Sequence, residues 1–357
     1  MPNTDQSPQS LFRQILALLA IGIFFPLSAF AIESEVGRAF ESQKLESIES
    51  HSTSAMVSAA KQFLSELDPI LRSKAKLPFN TPEKAVWSNL PPNLDYAGVR
   101  LLDLSPAELK NVITLLATCL SPVGFEKVRG IMLGDDLLVR GNGGRMLFGA
   151  ENYWFFIYGT PSETEAWGWQ FDGHHLAINL TIKGDRVTIS PSFIGTQPAD
   201  VKWSANYSHS PMKQEVDLAF KLLGSLSDEQ KRSAVIGSRR QNLDAGPGAD
   251  EVTPPVQGIA GETLTEAQKR TLGQLVTQWV AILPAQYAAP KILRILQTLD
   301  QTTFGWWGET APGSPVYYRV QGPEILIEFA NQNLGGNPQQ HLHSVYRDPS
   351  NDYGKNF

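Results

Sequence analysis

The sequence has a single cysteine, no cluster of lysine or arginine, and none of the short motifs that most readily identify a reaction. Cys119 alone excludes an internal disulfide, and its helical spacing from Val112 and Leu116 is typical of a buried thiol rather than a nucleophile. A formal net charge of −6 without a basic patch argues against nucleic acid or an anionic membrane as a partner. A Gly-x-Ser-x-Gly elbow, a phosphate-binding loop, a His-Glu-x-x-His motif and a dinucleotide fingerprint are absent.

Long apolar runs are also absent after the first thirty residues, which have the three parts of a secretory signal. Arg13 lies in a polar start, an apolar run extends from Ile15 to Phe25, and Ala29-Phe30-Ala31 suits signal peptidase. The run is shorter than the roughly 20 residues needed to span a bilayer. We therefore predict that residues 1–31 are a signal peptide cleaved after Ala31, and that the mature protein is secreted or periplasmic with no membrane attachment.

Residues 32–357 are predicted to form one large α+β domain, with a mixed or antiparallel β core and several flanking helices. A helical part covers about 32–128, a β block about 130–196, helices and a loop about 211–300, and a second β block about 303–348. Two β blocks separated by helices could be two domains. We favour one, because neither block has enough strands to bury both of its faces alone.

Local patterns predict several helix starts, turns and loops within this domain. Capping-box spacing marks three helix starts: Ser105 with Glu108, Ser227 with Gln230, and Thr265 with Gln268. The intervals between them are unequal, so we interpret them as shared capping chemistry rather than a structural repeat. Ile131 to Phe148 is interpreted as apolar β segments joined by a turn at Gly141-Asn142-Gly143-Gly144. Residues 238–262 are interpreted as a long surface loop.

Four of the six histidines occur in two tight pairs, each at the start of a predicted strand. Residues two apart on a strand point to the same side, so His341 and His343 present both imidazoles from one face, as a chelating site needs. The other pair is His174 and His175. If the two strands are neighbours, one of these completes a set of three histidines.

Three further polar side chains are candidates for chemistry. Glu328 is the lone carboxylate of an apolar strand, where it must be paired, protonated or bound to something, and we predict that it is a fourth ligand or a general base. Asn179 is predicted to share a strand face with His175. Asn179 and Arg319 are both expected to orient the substrate.

Imidazole together with carboxylate suits zinc, copper, iron or nickel, and three protein ligands leave a position open for water. We predict a divalent transition metal, with zinc or copper favoured, held by His174 or His175 together with His341 and His343. Paired histidines on strands also occur in metal-free polar sites or ligand pockets, and as purely structural residues. Both alternatives remain open on the sequence.

Aromatic residues crowd the two β blocks. Most are predicted to pack in the core, and the alternative is a stacking platform for a sugar or an aromatic ligand. They are Trp154, Phe155, Phe156, Tyr158, Trp167, Trp169, Phe171, Trp306, Trp307, Tyr317 and Tyr318.

Both histidine pairs lie in long motifs, Trp167-Gly168-Trp169-Gln170-Phe171-Asp172-Gly173-His174-His175-Leu176 and His341-Leu342-His343-Ser344-Val345-Tyr346-Arg347-Asp348-Pro349. With these motifs the chain resembles the bacterial and fungal domain of unknown function 3500 family, over nearly all of the sequence after the signal. That family brings no settled activity. The resemblance implies only that the two histidine motifs belong together in one secreted domain.

From these features we predict an exported metal-dependent enzyme that acts on a small molecule or a carbohydrate, with hydrolysis slightly ahead of oxidation. The first alternative is a non-catalytic binding protein with an aromatic-lined pocket for a carbohydrate or another small molecule. The second is a protein that stores or delivers metal without turnover.

Overall fold

The computed structural model describes residues 34–91, 96–139, 147–250 and 252–357. The predicted signal peptide and the predicted turn at residues 141–144 lie outside them. Ser34–Phe357 forms one compact unit. It is a single α+β domain with a mixed sheet, as predicted. Among the described residues, no helix combines the length and the apolar character needed to cross a bilayer.

The helices begin where the sequence places capping residues. The hydroxyl of each predicted cap accepts a hydrogen bond from a backbone N–H in the first turn, and the side chain three positions on bonds back, which confirms the capping boxes at Ser105, Ser227 and Thr265. The described helices are α1 (Glu35–Ser42), α2 (Thr53–Glu66), α3 (Pro69–Ala75), α4 (Pro106–Cys119), α5 (Pro122–Leu138), α6 (Lys213–Ser225), α7 (Asp228–Ala234), α8 (Glu266–Val280) and α9 (Ala285–Gln297).

The strands are β1 (Lys76–Leu77), β2 (Val99–Arg100), β3 (Tyr153–Tyr158), β4 (Trp167–Gly173), β5 (Leu176–Lys183), β6 (Arg186–Thr188), β7 (Ser192–Thr196), β8 (Val201–Lys202), β9 (Ser208–His209), β10 (Val235–Gly237), β11 (Ile259–Ala260), β12 (Thr303–Gly308), β13 (Val316–Gly322), β14 (Ile325–Asn331) and β15 (Leu342–Arg347). One sheet has the order β1-β3-β4-β5-β7-β15-β14-β13-β12-β10. Strands β2, β6 and β11 pair with β3, β5 and β12, and β8 and β9 form a separate ribbon.

The two faces of this sheet are covered differently. On one face, the helix face, alternate residues such as Leu176 and Ile178 pack with the helices in the main hydrophobic core. On the other, the loop face, Ala177 and Phe193 pack against Trp87 in a smaller cluster. Two segments with little regular structure cover the loop face: the front segment (residues 79–91) and the covering loop (residues 238–250 and 252–258).

The strand order is palindromic because the chain contains an internal repeat. The series α2, α3, β1, β2, α4, α5, β3, β4, β5 recurs as α6, α7, β10, β11, α8, α9, β12, β13, β14. The strand registers repeat as well, since Val99 lies opposite Phe155 and Ile259 lies opposite Phe304. Gly98 and Gly258, immediately before these two strands, both have positive φ. The two halves meet where β7 pairs with β15.

The interpretation of the three capping boxes as shared capping chemistry therefore needs one correction, because two of them belong to the repeat. Ser105 and Thr265 cap the equivalent helices α4 and α8, whereas Ser227 caps α7, which corresponds to a different helix of the first half. The three capping boxes do not occupy one position of the repeat, and for this reason their intervals are unequal.

One further prediction is corrected by the fold. Ile131 to Leu138 belong to α5, not to a strand, because this helix is buried on most of its surface and its apolar residues show no clear helical period. The covering loop is exposed over most of its length, as predicted, and it is also bonded to the sheet beneath it. Its backbone N–H groups at Asp244 and Ala245 bond to buried Glu328, and the Pro255 carbonyl accepts from Arg319.

Candidate metal centre

The two histidine pairs meet at one end of the sheet. His174 and His175 lie between β4 and β5, while His341 directly precedes β15 and His343 lies within it. Strand β7 separates β5 from β15, so the strands are not direct neighbours. They meet because Gly195 of β7 has no side chain. A Cβ at Gly195 would lie 2.9 Å from Cδ2 of His175 and 3.0 Å from Cδ2 of His343.

Three imidazole nitrogens converge in this gap. The Nε2 atom of His341 lies 3.1 Å from Nε2 of His175 and 2.9 Å from Nε2 of His343. Their exposures are 4% for His341, 0% for His175 and 7% for His343. One ion at about 2.1 Å from each nitrogen would hold the nitrogens roughly 3.0–3.4 Å apart, close to the spacing that the chain already imposes.

Hydrogen bonds at the Nδ1 atoms of His341 and His175 determine which ring nitrogen carries the hydrogen. Nδ1 of His341 lies 2.6 Å from the Leu334 carbonyl, which can only accept, so Nδ1 carries the hydrogen. Nδ1 of His175 likewise donates to Asp135, at 2.9 Å. In the neutral rings, Nε2 of His175 and Nε2 of His341 therefore both present lone pairs to each other. This contact is repulsive unless a cation lies between the nitrogens.

Burial keeps the rings neutral. Desolvation lowers the pKa of His175 to about 3 and that of His341 to about 4, and it lowers the pKa of His343 well below its usual value. Neutral imidazole is the form that binds a metal ion.

Asp135, in α5, is the carboxylate of the cluster, and the sequence analysis missed it. Its Oδ1 accepts from Nδ1 of His174 at 3.1 Å as well as from His175, and its Oδ2 accepts from the Tyr153 hydroxyl at 2.8 Å. Burial alone would raise the pKa of Asp135, but its interactions with His174 and His175 hold that pKa below its ordinary value. A carboxylate behind a ligating histidine orients the ring and strengthens it as a ligand.

Glu328, predicted as the fourth ligand, is not brought into the cluster. It is buried on the loop face, where its carboxylate accepts hydrogen bonds from the Tyr317 hydroxyl and from the backbone of Asp244 and Ala245. Burial raises the pKa of Glu328, and these hydrogen bonds oppose the rise. The prediction that Glu328 ligates the metal is therefore corrected. The partners of its buried carboxylate lie on the loop face, and the carboxylate that contacts the histidines is that of Asp135.

Arg319 lies beside Glu328 and not beside the histidines. Its Nη1 is 4.0 Å from Oε1 of Glu328 and 3.2 Å from Oδ2 of Asp244. Its guanidinium also lies 5.2 Å from the centre of the Trp307 ring. These contacts place Arg319 with Glu328 and Asp244 beneath the covering loop.

Asn179 occupies the position in β5 that Glu328 occupies in β14. Asn179 lies opposite Gln170, just as Glu328 lies opposite Arg319. The Asn179 amide accepts from Gln170 at 2.7 Å and donates to the Pro191 carbonyl at 3.2 Å. The repeat therefore places an amide pair in one half and a charged pair in the other, and both are bound to their own surroundings.

The aromatic residues singled out in the sequence are all buried. On the helix face, Tyr318 stacks on Trp306 at 6.1 Å and on Phe329 at 4.9 Å. The prediction that most of these residues form core is confirmed by their burial.

The comparisons with known proteins agree with the meeting of the two histidine motifs in one domain. A family model described as "Protein of unknown function (DUF3500)" matches residues 49–355, which include Asp135 and all four clustered histidines. The chain belongs to this family. No curated protein matches the chain. No solved structure matches it either. Membership of the family supplies no activity, so a function has to be argued from the site itself.

Proposed function

We propose that the protein is an exported metal-dependent enzyme whose centre is formed by His175, His341 and His343. The proposal rests on the Nε2 atoms of His175 and His341, which lie 3.1 Å apart. Because each ring donates a hydrogen bond from Nδ1, both Nε2 atoms carry lone pairs and their contact is repulsive. A divalent ion shared by the rings turns this repulsion into attraction. All-nitrogen ligation by three imidazoles suits zinc or copper.

Other groups of the chain orient the ligating rings. Asp135 holds His175 through Nδ1, and the Leu334 carbonyl holds His341, so both rings keep their orientation. His174 shares the oxygen of Asp135 and keeps a small exposed edge of 6%. A centre with three protein ligands supplies a Lewis acid and an activated water, which favours hydrolysis as the reaction class.

Elemental analysis of the purified protein tests the proposal. We expect about one equivalent of zinc or copper per chain, and we expect hydrolysis of nitrophenyl esters, phosphates or glycosides to stop on chelation and to return with metal. Protein that contains no transition metal, and that takes up none after incubation with Zn²⁺ or Cu²⁺, would contradict the metal centre. Metal-bound protein without any turnover would favour storage or delivery instead.

Export is a separate part of the proposal, supported by the polar start, the apolar run and the Ala29-Phe30-Ala31 triplet. When the full-length chain is expressed in a bacterium, we expect the protein in the periplasm or the medium, with Ile32 as its first residue. N-terminal sequencing checks this directly. An intact N-terminus on cytoplasmic protein would show that the segment is not processed as a signal.

A further inference from the structure

Asp172 is a buried carboxyl that receives no hydrogen bond from the described residues. It lies in β4 with 2% exposure, and neither of its oxygens has a partner. Burial raises the pKa of Asp172 well above its ordinary value. The nearby backbone N–H groups of Gly173 and Ser88 oppose this rise, but neither has the geometry of a hydrogen bond to the carboxyl. Among the described residues, it is the one carboxylate with both oxygens buried and unpaired. Such a group is destabilising, so the fold alone does not account for it.

The position of Asp172 relates it to the histidine cluster. Asp172 lies opposite Ala177, two residues after His175 in the chain, so its side chain belongs to the loop face. The front segment connects the two places. The backbone of Ser88 is next to the Asp172 carboxyl, and the side-chain amide of the following residue, Asn89, lies 3.4 Å from Nδ1 of His343.

The internal repeat provides a comparison within the same molecule. The residue equivalent to Asp172 is Gln321, because Asp172 lies opposite Ala177 and Gln321 lies opposite Leu326 in the corresponding strand pairs. The Gln321 amide donates to the Pro254 carbonyl at 2.9 Å and so binds the covering loop. A polar residue at this position can thus serve to hold the segment above it, and Asp172 does not do so.

Aromatic side chains frame the Asp172 carboxyl. Trp154 lies directly opposite Asp172 in β3, and Tyr96 stacks on Trp154 with 5.0 Å between the ring centres. Hydroxyl groups donate hydrogen bonds to a carboxylate, while the C–H faces of a sugar or polyol pack on aromatic rings.

We propose that Asp172 is a substrate-binding residue beside the metal centre, and that its two oxygens accept hydrogen bonds from hydroxyl groups of a sugar or polyol. This inference rests on the proposed function, since it names the substrate class of the same site. Asp172 binds and orients the substrate, and the histidines hold the ion.

Urea unfolding separates a binding role from a structural one. In Asp172→Leu, a side chain of similar size replaces the unpaired carboxyl, so the urea midpoint should rise, by about 0.5 M. Asp136→Leu is the matched control. Asp136 is also buried, but its oxygens bond to Ser34, Ala150 and Trp203, so its midpoint should fall. A lower midpoint for Asp172→Leu would assign Asp172 to the structure and overturn the inference.

The binding arm uses glycerol, D-glucose and D-glucosamine as probes of the zinc-loaded protein, with tryptophan fluorescence as the signal because Trp154 lies opposite Asp172. We expect at least one probe to bind, and its affinity to fall at least tenfold in Asp172→Leu and in Asp172→Asn. Equal affinity in the variants, or no response of the wild-type protein to any probe, overturns the inference. The metal content of each preparation tests the proposed function on its own, because Asp172→Leu should retain the metal of the wild-type protein.

Discussion

The His341→Ala variant is expected to lose the metal. Nε2 of His341 lies within 3.1 Å of both other ligand nitrogens, so its loss leaves two imidazoles and removes the central contact of the three. Loss of an outer hydrogen-bond partner weakens metal binding about 10–100-fold, and loss of a direct ligand should exceed that range. Elemental analysis after dialysis should find at least a tenfold lower metal content than in the wild-type protein.

Thermal unfolding gives a second readout of the same variant. An ion that binds only the folded state stabilises it by about 2.7 kcal/mol at a hundred times its Kd, so a chelator should lower the melting temperature of the wild-type protein. The chelator should not change the melting temperature of His341→Ala, because that variant has no ion to lose.

Two further substitutions allow the metal loss of His341→Ala to be compared with a smaller expected effect and with no effect. Asp135→Asn keeps the size of the side chain but removes the charge behind His175, and we expect metal affinity to fall about 10–100-fold. His209→Ala is the control, because His209 lies near Tyr207, outside the cluster, and should keep full metal content. Wild-type metal content in His341→Ala would place the ion elsewhere in the protein.

Gly195→Ala is expected to weaken metal binding and stability together, although it adds only a single methyl group and replaces no ligand. The new Cβ would lie within 3.0 Å of the rings of His175 and His343, and 2.9 Å from the backbone oxygen of Leu342. That oxygen belongs to the neighbouring strand and cannot move aside freely. Overpacking of this kind costs about 1–3 kcal/mol, and displacement of the rings spoils the common position for the ion.

Gly224→Ala is the matched control for this steric argument. Gly224 lies in α6, and nothing approaches within 4 Å of a Cβ added there. Alanine in a helix is favoured over glycine by about 0.5–1 kcal/mol, so this variant should be as stable as the wild-type protein or slightly more stable. Urea unfolding and a zinc titration compare the two. If Gly195→Ala binds zinc as tightly as Gly224→Ala, the close packing of the rings is not what positions the ion.

The sequence predicted elements wherever a local physical signal was present. Hydroxyl caps marked the starts of α4, α7 and α8. The prediction failed over Ile131 to Leu138, because α5 is buried nearly all round and a helix without a polar face has no visible period. The repeat was rejected because the third capping box, at Ser227, does not occupy the equivalent position, and because the other marks of the repeat are strand register and glycine positions.

The site was predicted in part for the same reason. Spacing two along a strand placed His341 and His343 on one side, which the structure confirms. The partner Asp135 could have been suspected, since two adjacent acids, Asp135 and Asp136, interrupt an apolar stretch and must find partners when buried. The same argument led to Glu328, which did need partners but found them in Tyr317 and the covering loop. Sequence alone could indicate the need for a partner, but not which distant segment supplies it.

The candidate metal centre is divided between the two halves of the palindromic sheet. Asp135 and His175 come from the first half of the chain, and His341 and His343 come from the second, so neither half alone holds three imidazoles. In the second half, α9 meets the hairpin of β13 and β14 through an ion pair, Lys291 with Glu324 at 2.8 Å. This pair cannot coordinate a metal ion in the way that the histidines can. A polypeptide of half this length would therefore bring three such imidazoles together only as a dimer.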